Sequence, residues 1–375
     1  MFYSTYPYGY DFGNTETTGV TQTRSGDRVL TLSSALHRGS YDDLMRMIGA
    51  SSSNDGEISI LNAQSHVIKF RDVQDREERE LFVGDLAIKQ AGNTTMDVLT
   101  GRGQMQRYWD YRSLALLLVT SGTLIPDGEY GLTVVTNIPV ASHTDINTRR
   151  VKAALEGDHN FVLDGKKRCA HITVKKTIME GASANILYGD GKRKIGVIDI
   201  GGRTTDAYMV DGLAPVQDLC KSFDVGVETA SDRIKDRFEA EFDFPISVQD
   251  TRTLMREYIG AKRYQDIPSV YNSGRSDIHV ERLAHQILHE VGQDITNRIR
   301  GIWNQSFKSG AVAGDVSAII AIGGGAYFFK EELAEMFGAR RLMVPQHPER
   351  INAQGCFQLA KHYLQKDAAV QKVVG

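Results

Sequence analysis

Three short stretches of the 375-residue chain combine acids, glycines and small hydroxyl residues in arrangements that could do chemistry. The first is Asp11-Phe12-Gly13-Asn14-Thr15 and the second is Asp199-Ile200-Gly201-Gly202-Arg203-Thr204-Thr205-Asp206. A hairpin turn of such residues exposes several backbone N–H groups in a row, and a row of that kind cradles phosphate oxygens. A carboxylate cannot usefully touch phosphate, but it can hold Mg²⁺ through the water shell, and the metal then neutralises the phosphate charge. Asp11 and Asp199 are therefore candidate Mg²⁺ positions, acting through water. Gly13, Asn14 and Thr15, with Gly201, Gly202, Arg203, Thr204, Thr205 and Asp206, are candidate phosphate contacts. The third stretch is Ala321-Ile322-Gly323-Gly324-Gly325-Ala326. Backbone without side chains at a strand–helix junction admits a flat adenosine or an α-phosphate, with the helix N-terminus adding a favourable dipole. Gly323, Gly324, Gly325 and Ala326 are the candidate adenosine contacts.

Each stretch alone has a plainer reading, as a β-hairpin turn or as close packing at a glycine run. Their conjunction is the stronger signal. A Walker A sequence is missing and no Gly-x-Gly-x-x-Gly follows the first strand, so P-loop and dinucleotide readings lose their motifs. His285 and His289 stand i, i+4 with Glu290 next, but a third ligand and the His-Glu-x-x-His order are missing, which argues against zinc there.

The elements that must position these residues follow from pattern. Residues around Tyr8–Val20 read as strand, glycine turn and strand. Residues 33–80 are mostly polar and read as a small insertion outside the core. Helix is expected over Tyr111–Ser121, ended by Gly122, and again over Asp145–Glu156. Gly131–Ile138 is a β-branched strand stopped by Pro139. The pattern then restarts: a strand at Ile172–Lys175, a helix at Ala182–Tyr188, and a strand from Ile195 into the second glycine turn. The two copies of strand, acid, glycine turn and strand predict two related lobes of α/β character. The first takes residues 1–171, and the second residues 172–345 with a helical insertion at about 224–310. Residues 346–375 form a helix returning to the first lobe.

Composition is that of an ordinary globular chain, 41% hydrophobic and 24% charged. A net charge of −3 argues against a direct, sequence-independent grip on DNA or on an anionic membrane. Lys166-Lys167-Arg168 and Lys192-Arg193-Lys194 are short basic clusters that read as solvated turns. Cys169, Cys220 and Cys356 are scattered, without a Cys-x-x-Cys pair, which fits a reducing cytoplasm better than a disulfide framework or a zinc site. The N-terminus lacks the features of a signal peptide, and the apolar run Leu114–Val119 is too short to span a bilayer.

The two turns, the Gly-Gly-Gly-Ala stretch and the helix start Asn352-Ala353-Gln354-Gly355 resemble the phosphate-1, phosphate-2, adenosine and connecting segments of the actin superfamily. Phe82-Val83-Gly84-Asp85-Leu86-Ala87 and Asn137-Ile138-Pro139-Val140 are similar to ParM/StbA-type plasmid-segregation actins and archaeal actin-like proteins. The resemblance implies an actin-like, ribonuclease H-like fold of two lobes with a nucleotide cleft between them. It also implies hydrolysis of ATP or GTP with Mg²⁺, and self-assembly into filaments. DNA would be reached through an adaptor protein. By the same resemblance Glu180 orients the attacking water and, with Asp199, is a candidate catalytic residue; its plainer reading is an acid complementing a helix N-terminus. Two departures stand out. Many relatives carry a Lys seven positions after the first acid, where this chain has Thr18, which leaves Arg203 as a candidate cation or merely a turn charge. A Gly is common where Asn137 stands. A small-molecule kinase of the same superfamily is the alternative, but no extra segment is present to build its acceptor pocket. An actin-fold chaperone is a third reading, for which a peptide-binding domain is expected after the connecting motif.

Overall fold

The structure, a computed structural model, describes residues 3–50, 61–91, 104–243, 245–246, 251, 281–303 and 316–374. In chain order the elements begin with β1 (Ser4–Phe12), β2 (Glu16–Thr23), β3 (Gly26–Ser33), β4 (Leu36–Arg38), α1 (Tyr41–Ala50), β5 (Ser65–Arg71), β6 (Glu78–Gly84) and α2 (Asp85–Ala91). Then come α3 (Tyr111–Leu124), β7 (Glu129–Ile138), α4 (Asp145–Leu155), β8 (Gly157–Leu163), β9 (Lys166–Met179) and α5 (Ala182–Tyr188). Next are β10 (Lys194–Ile200), β11 (Thr205–Asp211), β12 (Ala214–Pro215), β13 (Lys221–Phe223), α6 (Val227–Phe242) and α7 (Glu281–Trp303). The chain closes with β14 (Ala318–Ile322), α8 (Lys330–Phe337), β15 (Leu342–Met343) and α9 (Ile351–Val374). Two compact units result, Met1–Leu187 with Asn352–Gly375, and Tyr188–Ile351.

The first unit is built on a nine-stranded sheet in the order β3-β2-β1-β7-β9-β8-β5-β6-β4. Its centre, β1, β7 and β9, is parallel, and the flanks are antiparallel. β7 is buried from Tyr130 to Ile138, as a central parallel strand covered on both faces must be. α3 packs on the sheet with Leu114 to Val119 all fully buried, and the Asp110 side chain caps it by accepting from Arg112 N at 2.9 Å. Gly122 does not end this helix, which runs on to Leu124. A Cβ at Gly122 would meet Leu163 Cδ2 at 2.8 Å, so this glycine serves close approach to the sheet.

Residues 33–80 are not peripheral as the polar pattern implied. β5 and β6 join the sheet, and Ile68, Phe70, Leu81 and Val83 share a core with Leu114 and Leu132. The polar residues that blurred the pattern are paired: His66 Nδ1 lies 2.8 Å from Asp164 Oδ2. The loop at 51–56 lies outside the described residues. The 171/172 boundary expected from the sequence falls inside β9, whose pairing with β7 and β8 keeps it in the first sheet. The division comes after Leu187.

In the second unit the sheet order is β12-β11-β10-β14-β15, with β13 pairing β11. α6 and α7 belong to its core rather than to an insertion. Ala230, Ile234 and Phe238 recur every four residues, as do Ile287, Val291, Ile295, Ile299 and, one turn on, Trp303, all buried against Ile198, Ile200 and Met209. Trp303 donates from Nε1 to Leu219 O at 3.0 Å, so its polar edge is satisfied inside the core. The stretch near Pro268–Ser276 lies outside the described residues. Among the described residues no helix is long and apolar enough to cross a membrane.

Candidate functional site

The first turn is the loop of the β1–β2 hairpin, tied down from behind. Ser34 N donates to Thr15 O at 2.9 Å, and Ser34 Oγ donates to Gly13 O at 2.9 Å. With those carbonyls taken, the Asn14 N–H has no acceptor among the described residues, and Asn14 Oδ1 is buried without a partner. Asp11 stands near the carboxyl end of β1, Asn137 near that of the adjacent β7, and Glu180 one residue beyond β9. The carboxyl ends of parallel strands are where α/β sheets collect their ligand groups. Glu180 N donates to Ile138 O at 2.9 Å, which fastens it to the end of β7.

Burial pushes the Asp11 carboxyl up to about 7, although the Asn137 amide and the Arg107 guanidinium beside it pull the other way. Neither amide atom of Asn137 makes a hydrogen bond of ordinary geometry, and the residue is fully buried. Arg107 is 3% exposed, with Nε and Nη1 unpartnered. Its guanidinium carbon lies 5.5 Å from the centre of the Phe12 ring and 4.4 Å from that of Tyr108. Arg107 Nη2 donates to Tyr108 Oη, which donates to Glu180 Oε1 at 3.3 Å. The Arg107 cation and the Glu180 carboxyl are thus linked through one tyrosine, and Arg107 also acts on Asp11 through its charge.

α9 backs this arrangement. A Cβ at Gly9 would lie 2.1 Å from Ala353 O, so β1 and the helix touch backbone to backbone. Asn352 Oδ1 accepts from Gly181 N at 3.4 Å and Asn352 O from Ser183 Oγ at 2.9 Å. Gly181 sits at φ +86°, a conformation that suits glycine and turns the chain just after Glu180. Burial, against a hydrogen bond from Ser183 and with the charges of Asp11 and Glu180, drives the Cys356 thiol up and keeps it protonated.

The second unit repeats the construction. Gly201 N donates to Thr204 O at 2.9 Å, closing the β10–β11 hairpin. The Gly201 and Gly202 carbonyls accept from Val227 N at 3.1 Å and Glu228 N at 2.6 Å, so the turn caps the start of α6. The N–H groups of Gly202, Arg203 and Thr204 then have no acceptor among the described residues. Arg203 donates from Nε to Glu228 Oε2 at 2.7 Å. Thr205 donates to Val225 O at 2.8 Å, and Asp206, which stands opposite Asp199 across the ladder, accepts from Ser222 Oγ; both residues are buried. Asp199 is 5% exposed at the end of β10, opposite Ile322 of the parallel β14.

The glycine run divides by function. A Cβ at Gly323 would meet Ile200 O at 2.4 Å and Asp199 Oδ1 at 2.5 Å, and one at Gly325 would meet Ile200 Cγ2 at 2.2 Å. Those two glycines let the loop lie on β10 beside Asp199. Among the described residues a Cβ at Gly324 would meet nothing within 4 Å, so open space faces it. Gly324–Ala326 form a single 3-10 turn and α8 starts only at Lys330, so the expected helix dipole is not aimed from this junction. His285 and His289 form no metal cluster among the described residues: His289 Nδ1 contacts Glu332 Oε1 at 3.0 Å.

In the first unit, orphaned buried polar atoms on Asn14, Arg107 and Asn137 beside Asp11 fit phosphate oxygens and a hydrated Mg²⁺; in the second, the uncommitted amides of Gly202, Arg203 and Thr204 beside Asp199 fit the same chemistry. Arg107 and Tyr108 were not read from the sequence. They lie in a one-off 3-10 turn, Gln104–Trp109, whose separation from Asp11 and Glu180 carries no periodic signal.

The family described as actin like proteins, N terminal domain, matches residues 9–182, and the archaeal actin homologue MreB-like C-terminal family matches residues 197–335. The chain belongs to the actin superfamily. No curated protein sequence matches this actin-like chain. Among solved structures it is similar to the ParM of a 15-stranded filament from Clostridium botulinum, at 18% identity and TM-score 0.71, over 96% of this chain and 99% of that one. The archaeal actin homologue Ta0583 is 18% identical with TM-score 0.68, over 96% and 99%. ParM of Bacillus thuringiensis with AMPPNP is 14% identical with TM-score 0.66, over 96% and 99%. At these identities the likeness is one of fold.

Proposed function

We propose that this actin-like protein hydrolyses ATP, or GTP, with Mg²⁺ and assembles into filaments under control of the bound nucleotide. The observation that supports this reading most is the shared construction of the two turns. In each, the carbonyls are tied inside the unit next to a carboxylate at a strand end, and amide donors are left without acceptors among the described residues: Asn14 in the first turn, Gly202, Arg203 and Thr204 in the second. These partly exposed donors are free to meet a phosphate, as an anion-holding turn requires. Asp11 and Asp199 hold hydrated Mg²⁺, which supplies charge neutralisation when bound. The turn amides hold phosphate oxygens, and Gly324 leaves room for the adenosine side.

Glu180, held by Tyr108, orients the attacking water; phosphoryl transfer asks for positioning and charge stabilisation more than covalent chemistry. Arg107 supplies the cation that position 18 lacks, where the Thr18 hydroxyl is engaged with Thr31 at 3.0 Å. Filament formation is supported by the ParM filament among the structures of similar fold. A role in DNA segregation would run through an adaptor protein. The test is light scattering and pelleting of the purified protein with Mg-ATP, Mg-GTP and no nucleotide, alongside phosphate release. Nucleotide-dependent assembly with phosphate release is the expected result. A protein that releases phosphate only onto an added small-molecule acceptor, and never pellets, would replace this reading with a kinase.

A further inference from the structure

A second group of chemically able side chains lies at the other end of the parallel strands from Asp11, Asn137 and Glu180. Strand register assembles it. Glu129, the first residue of β7, stands opposite Cys169 of β9. His171 follows two residues on, which puts it on the same face of β9 as Cys169. Asp158 of β8 stands opposite His171 from the other side. His171 Nε2 is 3.1 Å from Glu129 Oε1 and 3.6 Å from Cys169 Sγ, and the three groups offer ligand atoms all within 4.8 Å of one another. His171 Nδ1 faces Asp158 Oδ1 at 2.7 Å, and the Tyr3 ring stacks on the imidazole with centroids 4.0 Å apart.

A tetrahedral zinc-type centre, with bonds of about 2.3 Å to sulfur and about 2.0 Å to nitrogen and oxygen, sets sulfur and nitrogen about 3.5 Å apart and nitrogen and oxygen about 3.3 Å apart. The observed sulfur–nitrogen and nitrogen–oxygen separations of 3.6 and 3.1 Å match that spacing, and the sulfur–oxygen pair lies within 4.8 Å. Sulfur, nitrogen and carboxylate oxygen together are the donor set of a borderline-soft divalent cation rather than of Mg²⁺. Asp158 adds what such a site needs behind a ligating histidine: a carboxylate that takes the Nδ1 proton and leaves Nε2 free to ligate. An ion pair alone accounts for the two carboxylates around His171, but not for the thiol at the corner where nitrogen and oxygen meet.

We propose that Glu129, Cys169 and His171 bind a zinc-type divalent cation, with Asp158 orienting His171 and water at the fourth position. On binding, the Cys169 thiol releases its proton to solvent and the imidazole stays neutral. This site is independent of the nucleotide reading.

Cobalt substitution tests it on the full chain, stripped with chelator and titrated with Co²⁺ alone. One equivalent should produce a thiolate-to-cobalt charge-transfer band and the visible bands of tetrahedral Co²⁺. Zn²⁺ should displace both, and excess Mg²⁺ should not. Cys169→Ser should remove the charge-transfer band, and Asp158→Asn should weaken Co²⁺ binding by about 10- to 100-fold while leaving the band in place at saturation. A wild-type titration without a thiolate band overturns the proposal whether or not any variant folds. So does a Cys169→Ser protein with the wild-type spectrum, because Cys220 or Cys356 would then be the ligand.

Discussion

The raised Asp11 carboxyl makes a quantitative link between pH and nucleotide binding. If Asp11 must be ionised to hold hydrated Mg²⁺, binding near neutrality expels its proton. With the carboxyl at about 7, the ionised fraction in the nucleotide-free protein is about 0.09 at pH 6, about 0.5 at pH 7 and about 0.9 at pH 8. Mg-nucleotide affinity should therefore rise about tenfold from pH 6 to pH 8, with about half a proton released per nucleotide at pH 7. The sign for folding runs the other way. The folded-state value lies above that of an unfolded Asp, so ionising Asp11 costs stability. The nucleotide-free protein should lose stability as pH rises from about 4 through about 7, by at most about 4 kcal/mol. Partial exposure of the residue lowers that ceiling. Calorimetry of Mg-ATP binding in buffers of different ionisation enthalpy measures the proton count. The nucleotide's own phosphate titrates in the same range, so Asp11→Asn is the control. A proton count and pH profile shared by wild type and Asp11→Asn would refute the assignment of Asp11 to the metal.

Glu180→Ala should lower turnover by about 100-fold, with ground-state nucleotide binding little changed because the lost contact belongs to the transition state. Phosphate release and light scattering after ATP addition should then give a rise and a plateau, where wild type gives a rise and a decay. Arg107→Gln should reduce affinity for ATP more than for adenosine, read by competition binding; equal losses would show that Arg107 only supports the fold around Asp11. Gly324→Val should keep its melting temperature and lose affinity for both ATP and ADP. Gly325→Ala, which must displace Ile200, should lower the melting temperature in the absence of nucleotide. Asp199→Ala should lose most Mg²⁺-dependent turnover while its circular dichroism stays that of wild type.

What the sequence determined by itself was local: acid, glycine and hydroxyl residues within a few positions of one another. The turns after Asp11 and Asp199, the strands that lead into them and the buried α3 run Leu114–Val119 were all legible, because strand, turn and helix preferences act over short spans. The pattern misread residues 33–80, where β5 carries His66 and Lys69 among its apolar residues. Only the sheet reveals that His66 is paired with Asp164 and that Ile68 and Phe70 face the core. It also misjudged α6 and α7, whose charged outer faces masked the four-residue recurrence of their buried stripe. Within the glycine run, composition treats Gly323, Gly324 and Gly325 alike. Which two touch Ile200 and which one faces open space is decided by β10 and β14 lying side by side. Arg107 and Tyr108 beside Asp11 and Glu180, and Glu129 beside Cys169 and His171, are further products of tertiary structure. Their partners are distant in the chain, and strand register rather than sequence spacing sets which side chains meet.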